Sequence, residues 1–383
     1  MLKIDGLPLA ELKKRKSVKW RGFESDVLPL PVAEMDFEIA EPIRQELIQM
    51  IEVSDTGYLG PIPELGANFA TFAKNRWGWE LDSASIMTAT DVGVGAVEIM
   101  RTIVKPGDGI VINTPVYHNF ANWINEVKCT IVEAPLHRDG MTYTLDLAPV
   151  EKAYAAGAKA HLLCNPHNPV GTVFTRDELI ALAELAKKHG VTIISDEIHA
   201  PLTYKSEEFH PFLSVSATAR EVGVCITAAS KSWNLAGLKC AFIVTGSERE
   251  HQNAEKMPQA VHYRASLFGA VAAARAFTCT EWLDSTLMTL DRNRNFLKEL
   301  LDDHLPEAGY RIPDCSYLAW IDMSAYGLGP NPSERLLKEG KVAFNAGEAF
   351  CKNHAQFIRL NFGTSEEILE EAIHRVVGVV RVK

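Results

Sequence analysis

Apolar residues along this chain fall into two patterns: short unbroken runs, and longer stretches at helical spacing. The runs are Gly109-Ile-Val-Ile-Asn113, Lys128-Cys-Thr-Ile-Val132, His161-Leu-Leu-Cys164, Val191-Thr-Ile-Ile-Ser195, Val222-Gly-Val-Cys-Ile-Thr227 and Cys240-Ala-Phe-Ile-Val-Thr245. Runs this short, with no polar alternation, predict strands buried on both faces. Between two of them, Thr175-Arg-Asp-Glu178 forms a capping box, in which the Thr hydroxyl and the Glu carboxylate satisfy each other's backbone donors. It opens a helix whose apolar face is Leu179, Leu182, Ala183 and Leu185, and Gly190 stops that helix. Strands alternating with helices in this way predict an α/β fold with a mostly parallel sheet covered by helices. From about Glu281 the pattern changes. A charged helix from Trp282 to Leu301 is followed by short strands, Tyr317-Leu-Ala-Trp-Ile-Asp322 and Phe357-Ile-Arg-Leu-Asn361. This predicts a second, smaller α+β unit.

Composition narrows the function classes. With 383 residues, 47% of them hydrophobic, the chain can bury a large core. A net charge of −10 argues against nucleic acid and against an anionic membrane surface as partners. No apolar run approaches the roughly eighteen residues of a membrane-spanning helix. The opening Met1-Leu-Lys-Ile-Asp-Gly lacks the apolar core of a signal peptide. The seven cysteines are scattered, form no CxxC pair and sit mostly in apolar runs, which suits reduced cysteines in a cytoplasmic protein. No histidine cluster has zinc spacing, so no metal site is expected.

Three loops carry the candidate chemistry, and each follows a strand run. In Ser230-Lys231-Ser232-Trp233-Asn234-Leu-Ala-Gly-Leu-Lys239, an amine sits at the end of a buried strand, where desolvation favours its neutral, nucleophilic form. Such an amine can condense with an aldehyde cofactor. In Asn165-Pro166-His167-Asn168-Pro169-Val-Gly171, two prolines and a glycine fix a non-helical loop at a strand's carboxyl end, where open parallel sheets bind ligands. In Ser195-Asp196-Glu197-Ile198-His199, an acid ends a buried strand and needs a partner, which a protonated pyridine nitrogen would supply. Taken singly, each has an ordinary reading: a solvated lysine, a turn asparagine, a capping aspartate. Their order, one per strand end, makes the combination specific.

That combination resembles the fold-type I pyridoxal 5′-phosphate (PLP) enzymes of the class I/II aminotransferase superfamily. Within it, the three motifs are similar to the branch of cystathionine β-lyases, or cysteine-S-conjugate β-lyases. The likeness runs from Ala33-Glu34-Met35-Asp36-Phe37 to Arg359-Leu360-Asn361-Phe362. It implies a large PLP-binding domain over 41–285 and a small domain formed by 1–40 and 286–383. It also implies roles. Lys231 would take the cofactor aldehyde and later act as base on the substrate's α proton. Asp196 would hold the ring nitrogen protonated, Asn168 would donate to the phenolic oxygen, and His199 would fall where many relatives carry a tyrosine. Tyr117, in Thr114-Pro115-Val116-Tyr117-His118, would stack on the ring and belong to the catalytic set.

The phosphate would be cradled by Gly93 and Val94 at a helix start, with Ser230 and Lys239. The glycines of Asp91-Val92-Gly93-Val94-Gly95 would let backbone amides approach an anion there. Ala228 stands where many relatives have a second hydroxyl, so the cradle has one fewer unless Thr227 compensates. Tyr58 would reach the phosphate of a neighbouring subunit, making the enzyme a homodimer with a shared site. Arg359 would grip the substrate α-carboxylate through two parallel hydrogen bonds. Gly347-Glu-Ala-Phe-Cys-Lys-Asn-His354 lacks glycines common in relatives, which leaves that loop's geometry open. The activity implied is cleavage of cystathionine or a related cysteine S-conjugate to a thiol, pyruvate and ammonia. The same residues would serve an aminotransferase, and a non-enzymatic regulator on this fold is the third alternative.

Overall fold

The computed structural model describes residues 2–381. The apolar runs form the centre of a seven-stranded sheet. Across the sheet the strands are Ile86–Ala89, Ala241–Thr245, Gly223–Thr227, Thr192–Asp196, Ala160–Cys164, Gly109–Ile112 and Thr130–Glu133. Ala241–Thr245 runs antiparallel to both its neighbours, and the other pairings are parallel. Its direction is not legible in its sequence, because a strand buried on both faces reads the same either way. The first strand, Ile86–Ala89, was not among the expected ones; it is short and mostly half-buried. Thr130–Glu133 lies at the other edge and is only partly covered.

Alternate side chains divide between the two faces. Ile110, Ile112, Leu162, Ile194, Val224 and Ile226 join one core with the helix Val92–Ile103. Val111, Leu163, Ile193 and Cys225 join the larger core on the opposite face, built partly from the helices Pro63–Trp77 and Arg176–His189. The capping box of Thr175 and Glu178 is formed, and Gly190 ends the helix with φ +67°.

Register decides where the loops go. Cys164 pairs with Asp196, and Asp196 pairs with Ile226. Three strands therefore end level, and the segments after them open at one edge of the sheet. All seven cysteines are free, six of them buried.

The smaller unit is a four-stranded antiparallel sheet, in the order Gly309–Tyr310, Leu318–Asp322, Phe357–Asn361 and Asn345–Ala346. The helices Thr280–His304 and Glu366–Arg381 pack together beside it. The N-terminal strand Leu28–Pro29 pairs in parallel with Val342–Ala343, which ties the start of the chain to this unit. The 25-residue helix Thr280–His304 runs unbroken through the expected domain division at 285/286. Residues 1, 382 and 383 of the expected small domain lie outside the described residues.

Candidate active site

The level strand ends open into a cavity of about 730 Å³, walled by both units and by the N-terminal segment. Asp196, Asn168, His199, Ser230, Lys231, Lys239, Tyr117, Gly93 and Arg359 all line it. Six chain segments far apart in sequence thus meet in one space.

Lys231 follows the strand Gly223–Thr227, and its Nζ donates to the Ala33 carbonyl at 2.9 Å. Burial, then the Arg359 guanidinium, push its amine down to about 8, against Glu34 and Asp196. Asp196 is buried, and its Oδ1 accepts from the Ile198 amide at 3.1 Å. Burial pushes this carboxyl up to about 7, against the Ile198 amide and Lys231. A carboxylate desolvated to this degree is set to receive a cation from the cavity.

Arg359, in the strand Phe357–Asn361, is buried and held by three acceptors. Its Nη1 donates to Asn168 Oδ1 at 3.0 Å; its Nη2 donates to Pro31 O at 3.0 Å and Asn345 Oδ1 at 2.7 Å. The guanidinium sits 4.9 Å from the Phe350 ring centre, and its Nε is buried without a partner among the described residues. Asn168 thus spends its oxygen on Arg359, which orients its amide and leaves Nδ2 as a donor. His199 is buried with Ser316 Oγ 3.1 Å from its Nδ1; burial, then Lys231 and Arg359, push it down to about 3, so its ring is neutral. Tyr117 accepts from Asn119 Nδ2 at 2.7 Å, and its ring lies edge-on to Trp123 at 5.9 Å.

At the helix start, Asp91 is the N-cap of Val92–Ile103. Its Oδ1 accepts from the Val94 amide at 2.8 Å and its Oδ2 from Lys239 Nζ at 2.9 Å. The Val94 amide is thereby engaged, and Val94 does not line the cavity; Val92 and Gly93 do. A side chain at Gly93 would meet the Trp123 ring at 3.0 Å, so the glycine keeps this end of the cavity open. Ser230 lines the wall nearby. Thr227 does not supply the extra hydroxyl here, because its Oγ1 donates to the Glu197 carbonyl at 3.2 Å. Tyr58 stands apart from the cavity and is 96% exposed.

The model for aminotransferases of class I and II matches residues 25–376. The chain belongs to the aminotransferase class I and II family. Its architecture is that of the fold-type I PLP enzymes. Within this family it is 36% identical to a cystathionine beta-lyase of Corynebacterium glutamicum, over 97% of this chain and 99% of that one. Cystalysin from Treponema denticola, whose crystal structure contains PLP, superposes with a TM-score of 0.94 at 27% identity, covering 100% of this chain and 99% of its own. The PLP-bound C-S lyase from Staphylococcus hominis superposes with a TM-score of 0.89 at 25% identity, covering 96% and 95% of the two chains.

Against this family background, the site has members that motif reading passed over. Asn345 fixes Arg359 from the neighbouring strand, with which it is in register. Asp91 couples the helix cap to Lys239. Pro31, Val32 and Ala33 form a wall. Ala33 contributes only a backbone carbonyl, which no residue-type signal reveals. Asn345 sits in a two-residue strand too short to register as a pattern. Among the described residues, no cluster of three His, Cys, Asp or Glu side chains is arranged to hold a metal, and no helix is long and apolar enough to cross a membrane.

Proposed function

We propose that this protein is a PLP-dependent carbon–sulfur β-lyase that cleaves cystathionine or related cysteine S-conjugates to a thiol, pyruvate and ammonia. The carrying observation is the meeting, in one cavity, of a desolvated amine, a buried acid and a buried guanidinium, on a chain similar over nearly its whole length to named lyases. The residues suit PLP: Asp196 is desolvated and forms no ion pair among the described residues, Lys231 is a lysine lowered to about 8, and Gly93 keeps the end beside Trp123 open.

When bound, PLP supplies an electron sink for charge developing at the substrate α carbon. Lys231 would hold the cofactor's aldehyde through its amine and afterwards take the α proton on Nζ. Asp196 would pair with the ring nitrogen, and Asn168, through Nδ2, with the phenolic oxygen beside His199. Tyr117 would lie against the ring. Gly93, Val94, Ser230 and Lys239 would serve the phosphate, with Val94 contributing through the helix start rather than through its occupied amide. Arg359 would orient the substrate by its α-carboxylate, its two Nη groups already aimed by Asn168, Pro31 and Asn345. A thiolate leaves readily, since its conjugate acid titrates near ~8.5.

The reading includes a homodimer in the cytoplasm, with Tyr58 of each copy serving the other's site. Support comes from its exposure beside Ile51 and Val53, which are also exposed. It also includes a large domain over 41–285 and a small one from the remainder.

The test is incubation of the purified enzyme with L-cystathionine, assaying pyruvate and ammonia without any keto-acid acceptor. Both products are expected, and borohydride reduction followed by digestion is expected to leave the pyridoxyl tag on Lys231. Strict dependence on a 2-oxo acid would instead make it an aminotransferase. No turnover either way, with cofactor bound, would leave the regulator.

A further inference from the structure

The Lys231 amine rests on a backbone carbonyl that is itself fixed with unusual thoroughness. The Ala33 carbonyl accepts from Lys231 Nζ at 2.9 Å and from the Tyr317 hydroxyl at 3.0 Å, so both its lone pairs are used. Asn361 Nδ2 donates to the carbonyls on either side, Val32 at 2.6 Å and Glu34 at 2.7 Å. On the Lys231 side, Asn234 uses both ends of its amide on one residue. Its Oδ1 accepts from the Met35 amide at 3.0 Å and its Nδ2 donates to the Met35 carbonyl at 2.8 Å, across 199 positions of sequence.

Asn234 lies three residues after Lys231, in the same turn, with φ +59°. Asparagine tolerates that left-handed conformation, but glycine would meet the backbone requirement alone. The conformation therefore does not account for a two-point grip on a distant segment. That grip ties the turn carrying the amine to the strand of chain carrying its acceptor.

We infer that Asn234 is a positioning residue for Lys231: by clamping Met35 it fixes the Ala33 carbonyl as the acceptor that holds the amine whenever the amine is not covalently engaged. An acceptor at this distance favours the protonated amine and restrains its direction. After taking a proton, Nζ then stays held at the Ala33 wall of the cavity instead of swinging free. The catalytic meaning rests on the lyase reading; the positioning itself does not.

The experiment compares wild type, Asn234→Ala and Asn234→Gly as full-length proteins. In cofactor-stripped chain, Lys231 is modified with acetic anhydride across pH and quantified by mass spectrometry. In holoenzyme, kcat and KM for L-cystathionine are measured. Both variants are expected to move the Lys231 modification midpoint down by about half a pH unit or more, since an acceptor that favours the charged form is loosened. Both should lower kcat about tenfold, with KM changed less than about threefold, the pattern of a misplaced reacting group. Asn234→Gly keeps the left-handed turn without strain, so it remains informative if the alanine variant fails to fold. A glycine variant with wild-type midpoint and wild-type kcat overturns the inference, because Asn234 would then merely fit its turn. Wild type that releases no pyruvate, alongside a shifted midpoint in the variants, sinks the lyase reading and leaves this inference standing.

Discussion

A buried guanidinium tunes the amine that shares its cavity. Lys231 is lowered to about 8 first by burial and next by the Arg359 guanidinium, so between about 8 and its ordinary 10.5 it is neutral while surface lysines remain protonated. Amine-reactive labelling of the cofactor-stripped chain should therefore show a midpoint near 8 for Lys231, well below the ordinary lysine value of 10.5. Arg359→Leu removes the largest charge that disfavours the ammonium, and the midpoint should rise. An unchanged midpoint in that variant would mean the guanidinium is not felt at Nζ. The same substitution should raise KM far more than it lowers kcat if Arg359 contributes mainly to binding, and peptide mapping with steady-state kinetics reads both effects.

At the scale of elements, the segment from Gly347 to His354 repays the open question about its loop. It folds as two short turns, Gly347–Ala349 and Lys352–His354, that bring Phe350 against Arg359 and its carbonyl to the Val116 amide at 3.3 Å. Its single glycine is the one the geometry needs. A methyl group at Gly347 would meet the His354 carbonyl at 2.1 Å, and backbone there has no slack. Gly347→Ala should destabilise the protein by about 1–3 kcal/mol, the usual cost of overpacking. Urea denaturation reads this directly, with an unchanged midpoint as the contrary result. Because Phe350 sits between this turn and Arg359, weaker substrate binding should accompany the loss.

At the scale of the molecule, the N-terminal segment is a strap between the two units. It is fastened by a fully buried ion pair, Lys19 Nζ to Asp36 Oδ2 at 2.7 Å, with Trp20 Nε1 donating to the other oxygen at 2.9 Å. Arg15 adds bonds to the Met35 and Phe37 carbonyls at 3.1 and 2.9 Å. Removing one partner strands a charge without its counterion, so Asp36→Ala should cost about 3–5 kcal/mol. The double replacement Lys19→Met with Asp36→Leu removes both charges of the pair, leaving Trp20 Nε1 without its acceptor, and should recover much of that loss. Equal unfolding midpoints for the single and double variants would show that the ion pair is not what matters. Because Ala33 lies on the strap, the single variant should also disturb Lys231 labelling.

The strands, the capped helix and the polar residues at or just after the ends of three strands were legible because each is written locally, in unbroken apolar runs, a Thr–Glu box and a stop. Asn168, Asp196 and Lys231 could be singled out for that reason. Local patterning carries no information about what lies across a gap. Register alone brings Cys164, Asp196 and Ile226 level, and long-range packing sets Asn168 against Arg359, 191 positions away. The reversed direction of Ala241–Thr245, the Asp91 bridge that occupies the Val94 amide, and the Ala33 carbonyl beneath Lys231 have the same origin. Sequence by itself determined which groups can do chemistry, because burial periodicity and turn propensity act over a few residues. Tertiary structure decided which of them meet, because a hydrogen bond between distant segments exists only once both have been packed into place.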